Sequence, residues 1–124
     1  MLGAQHPSTL TSTSNFALLL TAQGKVREAG ALYFEVLASQ RATLGSQHPS
    51  TLAGMINLGI HLGRQGKVRE AEPLFSEALT GCLRVLGREH PYTQLAFTSL
   101  VHVLNAQGKA RDVREVKAQF GGGR

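Results

Sequence analysis

The sequence predicts an all-α fold, an α-solenoid of three helix-turn-helix repeats. Three observations lead to this prediction. The 124-residue chain repeats itself every 42 residues, each unit carries a His-Pro pair ahead of a helical apolar pattern, and each carries a Gly-Lys pair about halfway along. A fixed period in this range is typical of solenoids, in which each unit buries its apolar face only against its neighbours.

Two motifs that recur in register define the units. The motif Leu-Gly-x-x-His-Pro occupies residues 2–7, 44–49 and 86–91. The motif Gln-Gly-Lys-Val-Arg-Glu-Ala occupies residues 23–29 and 65–71 without a change, and recurs as Gln-Gly-Lys-Ala-Arg-Asp-Val at 107–113. We therefore expect a single repeat domain over residues 1–124, with units at 2–43, 44–85 and 86–120 and a glycine-rich tail at 121–124.

Each unit is expected to contain two helices joined by a tight turn. Proline is tolerated in the first turn of a helix, so the first helix of the middle unit should begin near Pro49. Its apolar residues then recur at steps of three and four, as in an amphipathic helix, until Gly66. The second helix should continue through Pro73 with a slight bend and end near Gly87. By the same argument, the other two units should break near Gly24 and Gly108.

Composition and charge limit the classes of function. Thirteen Lys and Arg against eight acidic residues give a net charge of +5, which favours acidic partners. The single cysteine, Cys82, excludes an internal disulfide framework and fits a reducing compartment, so we expect a cytoplasmic protein. Neither a signal peptide nor a membrane-spanning segment is recognisable near the N-terminus, and we expect no membrane insertion.

Residues that could carry chemistry are few, and their spacing argues against catalysis. His6, His48 and His90 occupy equivalent positions in stacked units, so they cannot converge on one zinc ion, and we expect them to cap helices or turns instead. Cys82 lies on an apolar stripe and should be a buried small hydrophobe. His61 and His102 have no nucleophile and carboxylate at usable spacing. We expect no enzyme activity, no metal, no cofactor and no small-molecule substrate.

The ordered motifs resemble a known family. Leu-Gly-x-x-His-Pro-x-Thr-Leu, followed by Asn-Leu-Gly or Asn-Phe-Ala and then by Gln-Gly-Lys-Val-Arg-Glu-Ala-Glu-Pro-Leu-Phe, is similar to the 42-residue tetratricopeptide repeats of kinesin light chains. HEAT and armadillo repeats share this range of period, but the short glycine turn and the Ala-x-x-x-Phe-x-x-Ala helix favour the tetratricopeptide interpretation. The resemblance implies packing positions at Phe16, Ala17, Leu20, Ala29, Tyr33 and Val36, and at Leu58, Gly59, Leu62, Ala71, Phe75 and Ala78. The third unit departs at Val101, Val113 and Lys117, which indicates a degenerate unit or a polar cap.

The resemblance also implies a peptide-binding groove, formed by the first helix of each unit. In the middle unit, Ile56 and Ile60 lie opposite the packing stripe. Kinesin light chains have asparagines that bind the cargo backbone, and Asn15 of unit one and Asn57 of unit two are one position away from the equivalent positions. The predicted groove residues are Thr11, Ser14, Asn15, Leu18, Ala53, Ile56, Asn57, Ile60, Arg64, Leu95, Thr98, His102 and Asn105. We expect a scaffold or interaction module that binds other proteins, as a subunit of a larger complex or through a peptide. In the alternative interpretation, the middle helix is buried on both faces.

A row of bases is expected along the turns, one pair in each unit. This basic edge comprises Lys25, Arg27, Lys67, Arg69, Lys109 and Arg111. In one interpretation it is a solvated edge, whose side chains satisfy the last carbonyls of the first helices and pair with Glu28, Glu70 or Asp112. In the other it attracts acidic protein segments or an anionic polymer such as RNA. RNA is less favoured, because the groove face offers no aromatic platform for bases.

Overall fold

The structure, a computed structural model, describes the backbone of residues 7–121 and the side chains of residues 13–120. This part of the chain contains helices and no strands, as predicted. The six helices are α1 (Pro7–Ala22), α2 (Val26–Thr43), α3 (Pro49–Arg64), α4 (Val68–Val85), α5 (Pro91–Ala106) and α6 (Ala110–Gly121). The breaks fall at Gly24, Gly66 and Gly108, and α4 continues through Pro73. Helix α6 includes Gly121, the first residue of the predicted tail at 121–124, and residues 122–124 lie outside the described residues.

Histidine side chains cap the first helices of units two and three. The His48 Nδ1 atom accepts a hydrogen bond from the Ser50 backbone N–H at 3.1 Å, and the His90 Nδ1 atom accepts one from the Tyr92 N–H at 3.0 Å. Each bond satisfies one of the amide groups that have no partner within the first turn of a helix. The predicted capping role is confirmed for both residues, whereas His6 lies outside the described range.

The turn inside each unit follows the Schellman pattern. Gly24 has a φ of 82°, which glycine adopts without steric cost, and this reverses the chain direction after α1. The Lys25 backbone N–H then donates to the Leu20 carbonyl at 2.8 Å. Lys67 and Lys109 repeat this bond in their units. In the solvated-edge interpretation, Lys and Arg side chains satisfy the last carbonyls of the first helices. At Leu20, Leu62 and Leu104, the lysine backbone amides do so instead.

The core lies between the two helices of each unit and between successive units, with α3 at its centre. Helix α3 packs against both α2 and α4 and also contacts α5. At its closest approach to α4, Gly59 faces the Phe75 ring, which is 2% exposed. Cys82 is fully buried, as predicted, and burial raises the pKa of its thiol. Leu62, predicted on the packing stripe, is only partly buried at the edge of the core.

A buried histidine forms a polar contact at the first junction between units. The His61 Nε2 atom lies 3.0 Å from the Val26 carbonyl oxygen, and its ring centroid lies 5.1 Å from that of Tyr33. A Cβ atom at Gly30 would lie 3.1 Å from the same nitrogen, so the glycine makes room for the imidazole. Val103 occupies the position of His61 at the second junction and is 1% exposed.

The two ends of the solenoid differ in polarity. Phe16, expected in a packing position, is 53% exposed, whereas its equivalent Leu58 is covered and 4% exposed. The expectation was wrong for Phe16. Helix α2 covers this side of α3, but no described helix covers the corresponding side of α1. At the other end, Lys117 is exposed and Phe120 stacks on Phe97 with ring centroids 4.0 Å apart.

Candidate functional site

A stripe of side chains on α3 forms the middle of the predicted groove face. Ala53, Asn57, Ile60 and Arg64 follow one another at steps of four, three and four residues, so they lie on one side of the helix. Asn57 and Arg64 are exposed, and Ala53 and Ile60 are half-buried. Two pockets open along this stripe, one toward α1 and one toward α5.

The first pocket has a volume of about 250 Å³ and lies between α1 and α3. We call it the amide pocket because three residues with amide side chains, Asn15, Asn57 and Gln40, are among those that line it. It brings together five of the predicted groove residues, namely Ser14, Asn15, Leu18, Ala53 and Asn57. Helix α1 supplies the first three and α3 the last two. The sequence interpretation had treated these residues as counterparts in separate units, and the structure joins them in one site.

The second pocket has a volume of about 340 Å³ and lies between α3 and α5. Its predicted groove residues are Ile60, Arg64, Thr98 and His102, and Phe75 is among the other residues that line it. Arg64 is its positively charged group, and no ion pair with another described residue neutralises the guanidinium. This pocket therefore combines an apolar wall with a cation and an imidazole.

Three predicted groove residues with described side chains line neither pocket. Ile56 is 2% exposed, so its assignment to the groove was wrong and it belongs to the core. It stands two turns before Gly63, which lines the second pocket, and it belongs to the buried core cluster that also includes Ala96 and Leu100 of α5. Leu95 and Asn105 are exposed but line neither pocket. The side chain of Thr11 lies outside the described part of the chain.

Four residues of the amide pocket were not predicted from the sequence, and one of them is Gly54 of α3. Ser50 and Tyr92 stand in the first turns of α3 and α5, and Gln40 reaches the pocket from α2. A signal for Gln40 did exist. It continues the buried stripe of Tyr33, Val36 and Leu37, where its equivalent in the next unit is Cys82. A polar residue at a position that the repeat makes apolar is a reason to look for a partner.

The basic edge divides into paired and unpaired side chains. Five of its six residues are exposed and form no ion pair within the described residues: Lys25, Arg27, Lys67, Arg69 and Arg111. The Lys109 Nζ atom lies 2.9 Å from Glu72 Oε1, and its hydrogen bond lowers the pKa of that carboxyl group. The expectation that this lysine pairs with Asp112 was wrong, because the carboxylate within reach belongs to α4 of the preceding unit.

A wider groove lies on the opposite side, between α2 and α4. Its volume is about 550 Å³, and its walls include Phe34, Leu62 and Pro73. Phe34 is 67% exposed. A bidentate ion pair crosses the edge of this groove, with Arg41 nitrogen atoms 2.7 and 2.8 Å from the Glu77 oxygens. The hydrogen bonds from Arg41 lower the pKa of Glu77.

The described residues offer little for metal binding or membrane insertion. Among residues 7–121, no group of three His, Cys, Asp or Glu side chains is placed to hold a metal ion. Within the same range, no helix has both the length and the apolar character needed to cross a bilayer.

Comparison with known families and structures gives consistent matches. The sequence profile of the tetratricopeptide repeat matches residues 8–83. A crystal structure of the nearly identical TPR-like repeats of a putative kinesin light chain from Podosopora anserina is 32% identical, with a TM-score of 0.87 over 97% of this chain and 57% of that chain. A single-substitution variant of those repeats is 33% identical, with a TM-score of 0.77 over 96% of this chain and 56% of that chain.

A third structure, that of BtubC (BKLC) from P. vanneervenii, shares only the fold. It is 16% identical, with a TM-score of 0.78 over 90% of this chain and 44% of that chain. The chain thus spans between 44% and 57% of the length of these structures. No curated protein sequence matches it.

Proposed function

The chain belongs to the tetratricopeptide repeat family, and from that premise we propose that it is a non-catalytic module that binds a peptide or a partner helix along α1, α3 and α5. Repeats of this family generally mediate interactions between proteins. One observation carries the proposal: the amide pocket and the second pocket open in series along one stripe of α3. We propose a cytoplasmic location because the one cysteine, Cys82, is free and buried, and a role within a larger complex because repeats of this family bind other proteins.

The chemistry of the two pockets supports an elongated, chemically mixed ligand. The amide pocket offers neutral donors and acceptors, and the second pocket offers an apolar wall beside Arg64. Asn15 and Asn57 are both exposed at the mouth of the amide pocket, where amide side chains can bond to a peptide backbone. An extended peptide or one face of a helix could contact both pockets at once.

The basic edge supports a preference for acidic partners. Its five unpaired bases raise the local concentration of acidic segments through long-range attraction. We propose that the edge favours partners with acidic residues outside the pockets. RNA is the alternative ligand of this edge. It is the weaker one because Tyr92, an exposed ring of the groove face, stands in the first turn of α5, at the far end of that helix from Lys109 and Arg111.

A selection from a random peptide display library on the intact chain tests the proposed function. Peptides that bind in the pockets should lose about tenfold or more in affinity to the Asn57→Arg variant, because the longer cationic side chain fills the mouth of the amide pocket. The Thr80→Arg variant is the matched control, since Thr80 is exposed on α4 and lines neither pocket. Peptides that bind both variants as they bind the unmodified chain would contradict the proposal.

A further inference from the structure

Gln40 carries a polar atom that the folded chain leaves without a partner. The side chain is buried, at 8% exposure, and its Oε1 atom has no hydrogen-bond partner among the described residues. Buried polar groups are almost always paired, and an unpaired one lowers the stability of the fold. A residue that weakens the fold calls for another explanation of its presence.

The space for this side chain is specific to the first junction between units. A Cβ atom at Gly54 would collide with the Gln40 Oε1 atom, so the amide depends on the glycine. At the second junction, Cys82 and Ala96 occupy the equivalent positions, and both are fully buried. Stacking of the repeats therefore works without a glutamine here. Gln40 and Gly54 are thus both replaced at the second junction, and at the first junction the glycine leaves room for the amide group.

Gln40 is among the residues that line the amide pocket, and its unpaired Oε1 atom lies beside Gly54, closed to solvent. Asn15 and Asn57 line the same pocket but are exposed, so they lie nearer to its mouth than the buried Gln40. A peptide backbone held by the two asparagines would remain at the mouth. Only a side chain of the peptide would reach the level of Gln40.

The walls of the pocket restrict which side chain that can be. None of the described residues that line it carries a charge. A carboxylate or an ammonium group would lose its hydration there without gaining a counter-charge. A primary amide carries both a donor and an acceptor, as Gln40 does, so the two groups can pair reciprocally.

We infer that the amide pocket is a subsite for the side chain of an asparagine or glutamine in the bound peptide, and that Gln40 pairs with that side chain. The inference rests on the proposed function and names the chemistry of one part of the same site. On binding, the Gln40 amide turns from its closed position beside Gly54 toward the pocket and pairs with the ligand amide. Gln40 is thus a specificity residue that weakens the free fold and strengthens the complex.

Peptides from the same display selection, together with the Gln40→Met variant, test this inference. The peptides that depend on Asn57 should share an asparagine or glutamine at one position. Gln40→Met should weaken their binding by about tenfold, while the melting temperature of the free protein rises because the unpaired atom is gone. Replacing the amide residue of the peptide by Met should weaken binding to the unmodified chain, with little further loss on the variant. Gln119→Met, a change at an exposed glutamine of α6, should leave both measurements unchanged.

The outcomes separate this inference from the proposed function. Peptides that depend on Asn57 but lack a shared amide, or that bind Gln40→Met normally, would overturn the inference and leave the function standing. A Gln40→Met variant with both lower stability and weaker binding would assign the residue a structural role, which also overturns the inference. If no selected peptide depends on Asn57, the function and the inference fail together.

Discussion

At the scale of single residues, two glycines of α3 give opposite predictions for the same change. A Cβ atom at Gly59 would lie 2.6 Å from the Phe75 ring, whereas one at Gly63 would meet no atom within 4 Å. Gly59→Ala should lower the free energy of unfolding by about 0.5–2 kcal/mol, because overpacking costs about 1–3 kcal/mol and exceeds the gain in helix propensity. Gly63→Ala should raise it by about 0.5–1 kcal/mol. Urea denaturation measures both, and a stabilised Gly59→Ala variant would show that the contact with Phe75 is looser than described.

At the scale of helices, the Arg41–Glu77 pair joins α2 to α4 and makes stability depend on pH. Because hydrogen bonds from Arg41 lower the pKa of Glu77 in the folded state, its contribution is present above the unfolded pKa of about 4.3 and is lost as pH falls through the folded value. Glu77→Gln should therefore cost about 0.2–1 kcal/mol at pH 7, and little at pH 3. The estimate is small because the two side chains are 35% and 41% exposed and water screens the pair.

The control for this prediction is Glu115→Gln on α6. Glu115 is exposed and forms no ion pair within the described residues, so the same loss of a carboxylate should change stability little at either pH. Chemical denaturation at the two pH values compares the variants. A Glu77→Gln cost that is equal at pH 3 and pH 7 would contradict the assigned role of the ion pair.

At the scale of the whole molecule, the polarity of the ends predicts where the array can be extended. A copy of residues 44–85 placed ahead of Leu2 should cover Phe16 and Leu19, which are 53% and 52% exposed. Leu19 of unit one and Val103 of unit three occupy the position of His61, and both are apolar. The copied unit should therefore pack against unit one as unit two packs against unit three. Burying these half-exposed side chains should add roughly 1–3 kcal/mol at the new interface.

Extension at the other end provides the comparison. The outer face of α6 presents exposed Arg114 and Lys117, so the same copy placed after Phe120 should gain less from its interface. Chemical denaturation of the two extended chains measures the difference. An equal increase in the free energy of unfolding at both ends would show that the exposed apolar residues of α1 do not determine which end is better extended.

The sequence predicted most of the fold, because helix boundaries depend on local signals. The start of α3 at Pro49 and the turn at Gly66 follow from the conformational preferences of those residues. Burial depends on neighbouring helices as well. Ile56 and Ile60 lie on the same side of α3 by periodicity, yet Ile56 belongs to the buried core and Ile60 is half-buried in the wall of the second pocket. The role of Gln40 depends on Gly54, which belongs to another helix, and no pattern within α2 alone could predict it.

The junction formed by His61 and Gly30 has a consequence for how such an array can evolve. Gly30, in the second helix of unit one, leaves room for the His61 imidazole of unit two. The second helix of unit two has Glu72 at the position equivalent to Gly30. A tandem duplication of unit two would therefore set a glutamate side chain against the buried histidine of the next copy. The three units share a period but are not interchangeable modules. Recombination that separated His61 from Gly30 would crowd the imidazole, so the order of the units is itself an inherited property of this chain.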